Sequence, residues 1–212
     1  MSIMSTAPRE TSLESGGTIM GAATGVVTQN KDPDGLCRVK VSFPWHDQQR
    51  ESYWARLATP MAGKNRGLVC IPEVGDEVLL LFERNDPRFP VVLGGLWNGK
   101  GKAHYTNSDG NNDIRTFRSR KGHRLTFDDG TRGSVQLELN DGKKLRIDDD
   151  GVLVEDGKGN KIEIKSNGGS VTVEAAGPLK LKGATVSIEA TGQLEMKASG
   201  AATLRGSIVN IN

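Results

Sequence analysis

From Ile162 onward the apolar residues fall in pairs spaced by one position: Ile162 and Ile164, Val171 and Val173, Leu179 and Leu181, Val186 and Ile188, Leu194 and Met196, Ala202 and Leu204, Val209 and Ile211. Successive pairs are seven to nine residues apart. In an extended chain, residues i and i+2 share a face, so each pair points one way while Thr172, Lys180, Ser187, Glu195 and Asn210 point the other. Gly177, Gly183, Gly192, Gly200 and Gly206 fall between pairs, where the chain has to bend. A solenoid coil made by one chain needs about 18 residues or more to go round once, so this beat cannot close a turn by itself. One chain taking three repeats per turn would give barely two turns and leave its edges open. Three identical chains wound together pair every strand with a neighbour and bury every inward pair on the axis. The trimer is the better solution, with Ile162, Ile164, Val171, Val173, Leu179, Leu181, Val186, Ile188, Leu194, Met196 and Leu204 as its expected core. A plain antiparallel meander would leave one apolar face bare, with nothing else in the chain to cover it.

Composition supports a thin, fibrous second half. All ten aromatic residues, from Phe43 to Phe127, and every proline but Pro178 lie in the first 127 positions, and the last 85 residues hold no aromatic at all. Globular cores lean on aromatics for buried area. The first half instead reads as short strands. "GVVTQNKDPDGLCRVKVSF" is strand, "DPDG" turn and strand, with Cys37, Val39, Val41 and Phe43 on one face. "YWARLATPM", "RGLVCIP", "DEVLLLFE" and "RFPVVLGGLW" add apolar runs of strand length. About five strands over about 80 residues predict a small closed barrel or sandwich, and Cys37 and Cys70 are expected as small buried thiols. "GKGKAHYTNSDGNN", residues 99–112, reads as a linker or surface loop. Beyond it, "DDG", "NDG", "DDDG" and "DGKGN" separate apolar pairs as hairpins or strand corners. The expected fold class is all-β, with an N-terminal extension over 1–20, a barrel over 21–100, a linker over 101–115 and a needle over 116–212.

The well-mixed 28 basic and 26 acidic residues leave a formal net charge of +2 and no electrostatic footprint for nucleic acid. No run approaches the roughly 18 apolar residues of a spanning helix, and the first 20 residues lack the pattern of a signal peptide. Assembly in the cytoplasm is therefore expected, whatever route later carries the protein out. Carboxylate clusters at Asp128–Asp129 and Asp148–Asp150 each precede a Gly at a turn, where Asp serves the backbone. His123 has no triad partner in an interpretable place. No catalytic residue, metal site or cofactor is expected.

"VKVSFPWHD", "SYWARLATPMAG", "IPEVGDEVLLLF", "NDPRFPVVLGGLWNGK" and "FRSRKGHRLTFDD" together resemble the spike proteins of contractile injection machines, the phage baseplate assembly protein V and VgrG family. The resemblance runs from about Gly25 to Asp129, and the tail is similar in kind to the family's β-helical needle. It implies an oligonucleotide/oligosaccharide-binding (OB) type barrel over 21–100 and a trimeric needle behind it. It further implies a spike at the centre of a baseplate, on the end of an inner tube, driven through a target membrane mechanically when a sheath contracts. Such a chain works in a virion or an extracellular or injection particle; phage tails, bacteriocins, extracellular injection systems and type VI machines would each use one.

VgrG chains usually carry a large hub domain before the barrel. Here only about 20 residues precede it, so a separate hub protein is expected. The iron-binding His-x-His tip of some stand-alone phage spikes is not expected, since His46, His104 and His123 all precede the needle. The ending "SIVNIN" would leave Val209, Ile211 and Asn212 of three chains at a blunt end, where a PAAR-type tip protein is expected to sit. The alternative from another class is an OB-fold module binding nucleic acid or oligosaccharide through Trp45, Tyr53, Trp54 and Trp97 with Arg38, Lys40 and Arg56, carried on a fibrous trimerisation tail. A sugar-cleaving β-helix enzyme would want aromatics lining an acidic groove, and the tail has none.

Overall fold

A computed structural model describes residues 21–45 and 51–211; the expected extension over 1–20, His46 and Asn212 lie outside the described residues. The chain forms two compact units, the first ending at Ser108 and the second beginning at Asp109.

In the first unit, β1 (Ala23–Gln29), β2 (Lys40–Ser42), β3 (Arg56–Leu57), β6 (Glu77–Phe82) and β7 (Pro90–Gly95) form a five-stranded sheet in the order β2-β1-β6-β7-β3. Single bridges from Val39 to Ala55 and from Ser42 to Glu51 tie the β2 segment to the β3 segment, which joins the two ends of the sheet into a barrel. Alternation decides the interior: Val78, Leu80 and Phe82 of β6 point inward and pack with Val27, Val39, Val41, Phe43, Ala55 and Val92. Between β3 and β6 a short hairpin, β4 (Ala62–Gly63) and β5 (Arg66–Gly67), belongs to neither wall.

Three of the four residues expected on one face of the second strand, Val39, Val41 and Phe43, are buried. Cys37 is not, and the expectation of two buried thiols is wrong: Cys37 and Cys70 are both exposed. Cys37 stands at φ 56° in a turn gathered around Asp32, whose carboxylate accepts hydrogen bonds from the backbone N–H of Asp34, Leu36 and Arg38 and from the Arg38 guanidinium. Strand alternation begins only after that turn. Cys70 lies on the exposed stretch following β5.

The second unit opens with a seven-stranded antiparallel meander: β8 (Ile114–Arg118), β9 (Arg124–Asp128), β10 (Ser134–Glu138), β11 (Lys144–Asp148), β12 (Gly151–Glu155), β13 (Lys161–Lys165) and β14 (Ser170–Glu174), in sequence order. Asp closes several of the corners. Asp128 Oδ1 accepts from the N–H of Gly130, Asp148 Oδ1 from those of Asp150 and Gly151, and Asp156 Oδ1 from those of Lys158 and Asn160. The carboxylate clusters thus serve the backbone. The first two pairs of the repeat, on β13 and β14, lie in this meander and not in a coil of corners.

Past Glu174 no strand or helix is formed among the described residues. Instead, bends recur at 176–177, 184–185, 191–192, 199–200 and 207, with extended chain between them. Gly177, Gly192 and Gly200 sit in these bends, and Gly183 and Gly206 immediately precede one.

Candidate assembly surfaces

Each meander strand is five residues long, and its second and fourth residues share a face. The register therefore stacks these positions into rows running across the strands. One row reads Phe117, Leu125, Leu137, Leu145, Val154, Ile162 and Val173; the other reads Arg115, Phe127, Val135, Ile147, Val152, Ile164 and Val171. Thirteen of these fourteen positions are apolar, and Arg115 closes one end with its guanidinium on Asp129. At about 4.8 Å between strands, each row is about 29 Å long.

The double row is left uncovered by its own chain. Leu145 is 37% exposed and Val171 67%. Sequence reasoning counted the repeat only from Ile162 and missed Phe117, Leu125, Phe127, Val135, Leu137, Leu145, Ile147, Val152 and Val154. The same i, i+2 spacing was present there, hidden by the more conspicuous turn residues.

The opposite face is polar. Across its centre run Thr116, Thr126, Gln136, Arg146, Leu153, Glu163 and Thr172, and along its margin run Arg118, Arg124, Glu138, Lys144, Glu155, Lys161 and Glu174. The margin alternates in sign from Arg124 onward and is zipped by Arg124–Glu138, Lys144–Glu155 at 2.6 Å and Lys161–Glu174 at 3.3 Å. Glu174, then Glu163, hold the Lys161 ammonium above its ordinary pKa. Burial opposes ionisation of Asp148, but Arg146 and the N–H groups of Asp150 and Gly151 outweigh it and keep its carboxyl below the usual Asp value. Exposed pairs of this kind contribute little energy each, yet a one-residue slip would turn both apolar rows to the polar face.

In the tail, Leu179, Leu181, Val186, Ile188, Leu194, Met196, Leu204, Val209 and Ile211 are all exposed within the single chain, with Ile211 at 86%. No strand ladder of this chain takes up their backbone groups.

On the barrel, Tyr53 and Trp97 are exposed, but the cations considered for nucleic acid or sugar are engaged elsewhere. Arg38 pairs with Asp32 at 2.8 Å and Asp34 at 2.5 Å, Lys40 with Glu51 at 2.9 Å, and Arg56 with Glu83. Arg38 and Lys40 also lie over the Trp54 ring, at 5.9 and 5.3 Å from its centroid, and Trp45 donates its indole N–H to Thr24 O. Lys40, then Thr28, holds the Glu51 carboxyl below its usual pKa. A phosphate backbone would have to break these pairs to reach the cations. His123 Nδ1 accepts from the N–H of Asn140 and helps close a turn.

Comparison with known proteins follows the same division. Residues 23–97 match the type VI secretion system/phage-baseplate injector OB domain, and residues 115–176 match the phage baseplate V C-terminal trimerisation domain. Among relatives, the type VI secretion system spike protein VgrG1c of Pseudomonas aeruginosa is 38% identical over 95 residues, covering 41% of this chain and 13% of that protein. The spike protein VgrG3 of Vibrio cholerae is 32% identical over 114 residues, 50% of this chain and 11% of that protein. The actin cross-linking toxin VgrG1 of Vibrio cholerae is 33% identical over 73 residues, 32% of this chain and 7% of that protein. The chain therefore matches only a small fraction of the length of these relatives. An injector OB domain followed by a trimerisation domain whose apolar rows lie bare in one copy places this chain in the phage baseplate V/VgrG-like spike family.

Proposed function

We propose that the protein is the structural central spike of a contractile injection machine, a homotrimer whose needle sits at the end of the inner tube and is pushed through a target membrane. The observation that carries this reading is the uncovered double apolar row of the meander, continued by the exposed pairs of the tail. Three copies facing one another bury both rows on a common axis and leave the ion-paired face to water. Ile162, Ile164, Val171 and Val173 belong to the meander part of that core, and Leu179, Leu181, Val186, Ile188, Leu194, Met196 and Leu204 to the tail part. In the tail, backbone hydrogen bonds come from the other two copies. The polar exterior does not favour insertion into a bilayer, so external work drives the crossing.

The role is mechanical and not enzymatic, and it calls for no cofactor. A separate hub protein joins the barrel end to the tube. A PAAR-type tip protein binds the segment that holds Val209, Ile211 and Asn212. Pull-down of such a tip protein by the full chain, and its loss on removal of residues 205–212, supports the tip assignment; equal binding to both sinks it.

Light scattering tests the central claim. A mass near three times 22.8 kDa for the full chain, falling to monomer or a weak oligomer on truncation near Asn112, is the expected result. A full-length monomer returns the nucleic-acid or sugar-binding module to first place.

A further inference from the structure

The barrel unit carries two exposed apolar surfaces that its own core does not use. One is an arm. From Thr59 to Val74 the chain leaves the barrel through the β4–β5 hairpin and exposes Met61, Leu68, Val69 and Val74 by half or more. The arm is nevertheless built as a fixed object. Leu68 N–H donates to Met61 O at 3.0 Å, Thr59 Oγ1 donates to Leu68 O at 2.8 Å, and Asn30 Nδ2 donates to Pro72 O at 3.1 Å. Gly67 at φ 149° lets the two limbs close, since a Cβ there would stand 2.6 Å from Met61 O. A braced segment loses little conformational entropy on docking.

The second surface is the outer wall of β6 and β7. While Val78, Leu80 and Phe82 face the core, Leu81 faces outward opposite Val91. Opposite Leu79 and Leu80 the register of β7 passes from Gly94 to Val92, so Leu93 is the extra residue of a bulge, and it is exposed at 41%. A bulge re-aims one side chain, and this one aims a leucine at solvent.

We propose that the arm of one copy seats on the β6–β7 wall of the next, so that three barrels close a ring. The inference rests on the trimeric reading above and deepens it. Two different surfaces meeting head to tail make a heterologous contact, which closes into a ring when the rotation is right. The trimerisation domain in the same polypeptide supplies that three-fold rotation. It also holds each arm beside its neighbours at high effective concentration, so a modest apolar patch suffices. A second copy is thus the occupant already at hand for both surfaces, since the same chain carries a trimerisation domain.

The native thiol of Cys70, exposed on the arm, makes the test direct. In a full-length Cys37→Ser, Leu93→Cys variant, a short bismaleimide should link the arm thiol of one copy to the wall thiol of the next, giving covalent dimers and trimers on a denaturing gel. Cys37→Ser alone, and Cys37→Ser, Cys70→Ser, Leu93→Cys, each offer one thiol per chain and should give no covalent trimer. A particle that is trimeric by light scattering but shows no covalent trimer with both thiols present overturns the ring and leaves the spike standing. A particle that is not trimeric in the unsubstituted protein overturns the spike reading itself, and the ring with it.

Discussion

Two residues set limits that their neighbours cannot relax. Gly151 opens β12 at φ 141°, and a Cβ there would stand 1.8 Å from Ile164 O on the adjacent strand. Gly151→Ala should therefore cost at least about 2 kcal/mol per chain, read as a lowered Tm, and an unchanged melt would show that the β12–β13 approach is looser than described. Asp32 draws its turn together through Arg38 and three backbone N–H groups, and the Arg38 guanidinium holds its carboxyl far below the ordinary Asp value. A carboxyl depressed in the folded state contributes stability above its unfolded pKa, about 3.9. That contribution is lost as pH falls below this value toward the folded pKa. Asp32→Asn should thus lower the Tm at pH 7, and the gap to the parent should narrow as pH drops below about 4. A gap constant from pH 7 to pH 2 would mean that the Asp32 charge contributes nothing.

At the scale of the element, the meander is a sheet with unequal faces, and its two faces predict opposite responses. Leu145 lies mid-row on the apolar face between Leu137 and Val154. In the proposed trimer Leu145→Asp places three unpaired carboxylates on the axis, at a cost on the order of 3 kcal/mol or more per chain, and the light-scattering mass should fall to that of one chain. Thr172 faces the other way, directly opposite Glu163, so Thr172→Lys gains a cross-strand partner and should leave the mass unchanged. The reverse pattern would put the polar face on the axis. Much of this element was legible in advance. Asp-Gly turns and i, i+2 pairs announce hairpins, and the expectation of hairpins or strand corners over residues 124–164 matches β9 to β13. What the pairs do not announce is how far the hairpins run. The rhythm on β13 and β14 is the same as in the tail, and only the in-chain hydrogen-bond register separates them.

For the whole molecule, the contrast between a meander laddered within one chain and a tail with no ladder of its own predicts a difference in amide exchange. In the assembled protein, amides of residues 179–209 should exchange slowly, because the proposed trimer puts their acceptors on the other copies. In an Ile188→Asp variant they should exchange fast while β9 to β13 keep part of their protection. Slow exchange in the tail of a monomeric variant would mean that one chain satisfies its own backbone there. The barrel adds a second scale of order: a closed five-stranded core with Arg38, Lys40 and Arg56 already paired to Asp32, Asp34, Glu51 and Glu83, which weakens the nucleic-acid alternative on electrostatic grounds.

The sequence by itself determined the all-β class, the barrel core at Val39, Val41 and Phe43, the Asp-Gly corners and the need for other copies. Each of these follows from local rules: period-two alternation, positive-φ turn chemistry, and a repeat too short to enclose its own core. Only the tertiary structure decided which neighbours the strands choose. Cys37 matches the sequence alternation of Val39, Val41 and Phe43 and still fell outside the core, because it lies in the turn around Asp32 that precedes the strand. Phe117 to Val154 joined the apolar rows because antiparallel register aligned them with Ile162 and Ile164. Pairing partners and register are set by contacts between distant segments, and no single stretch of sequence contains them.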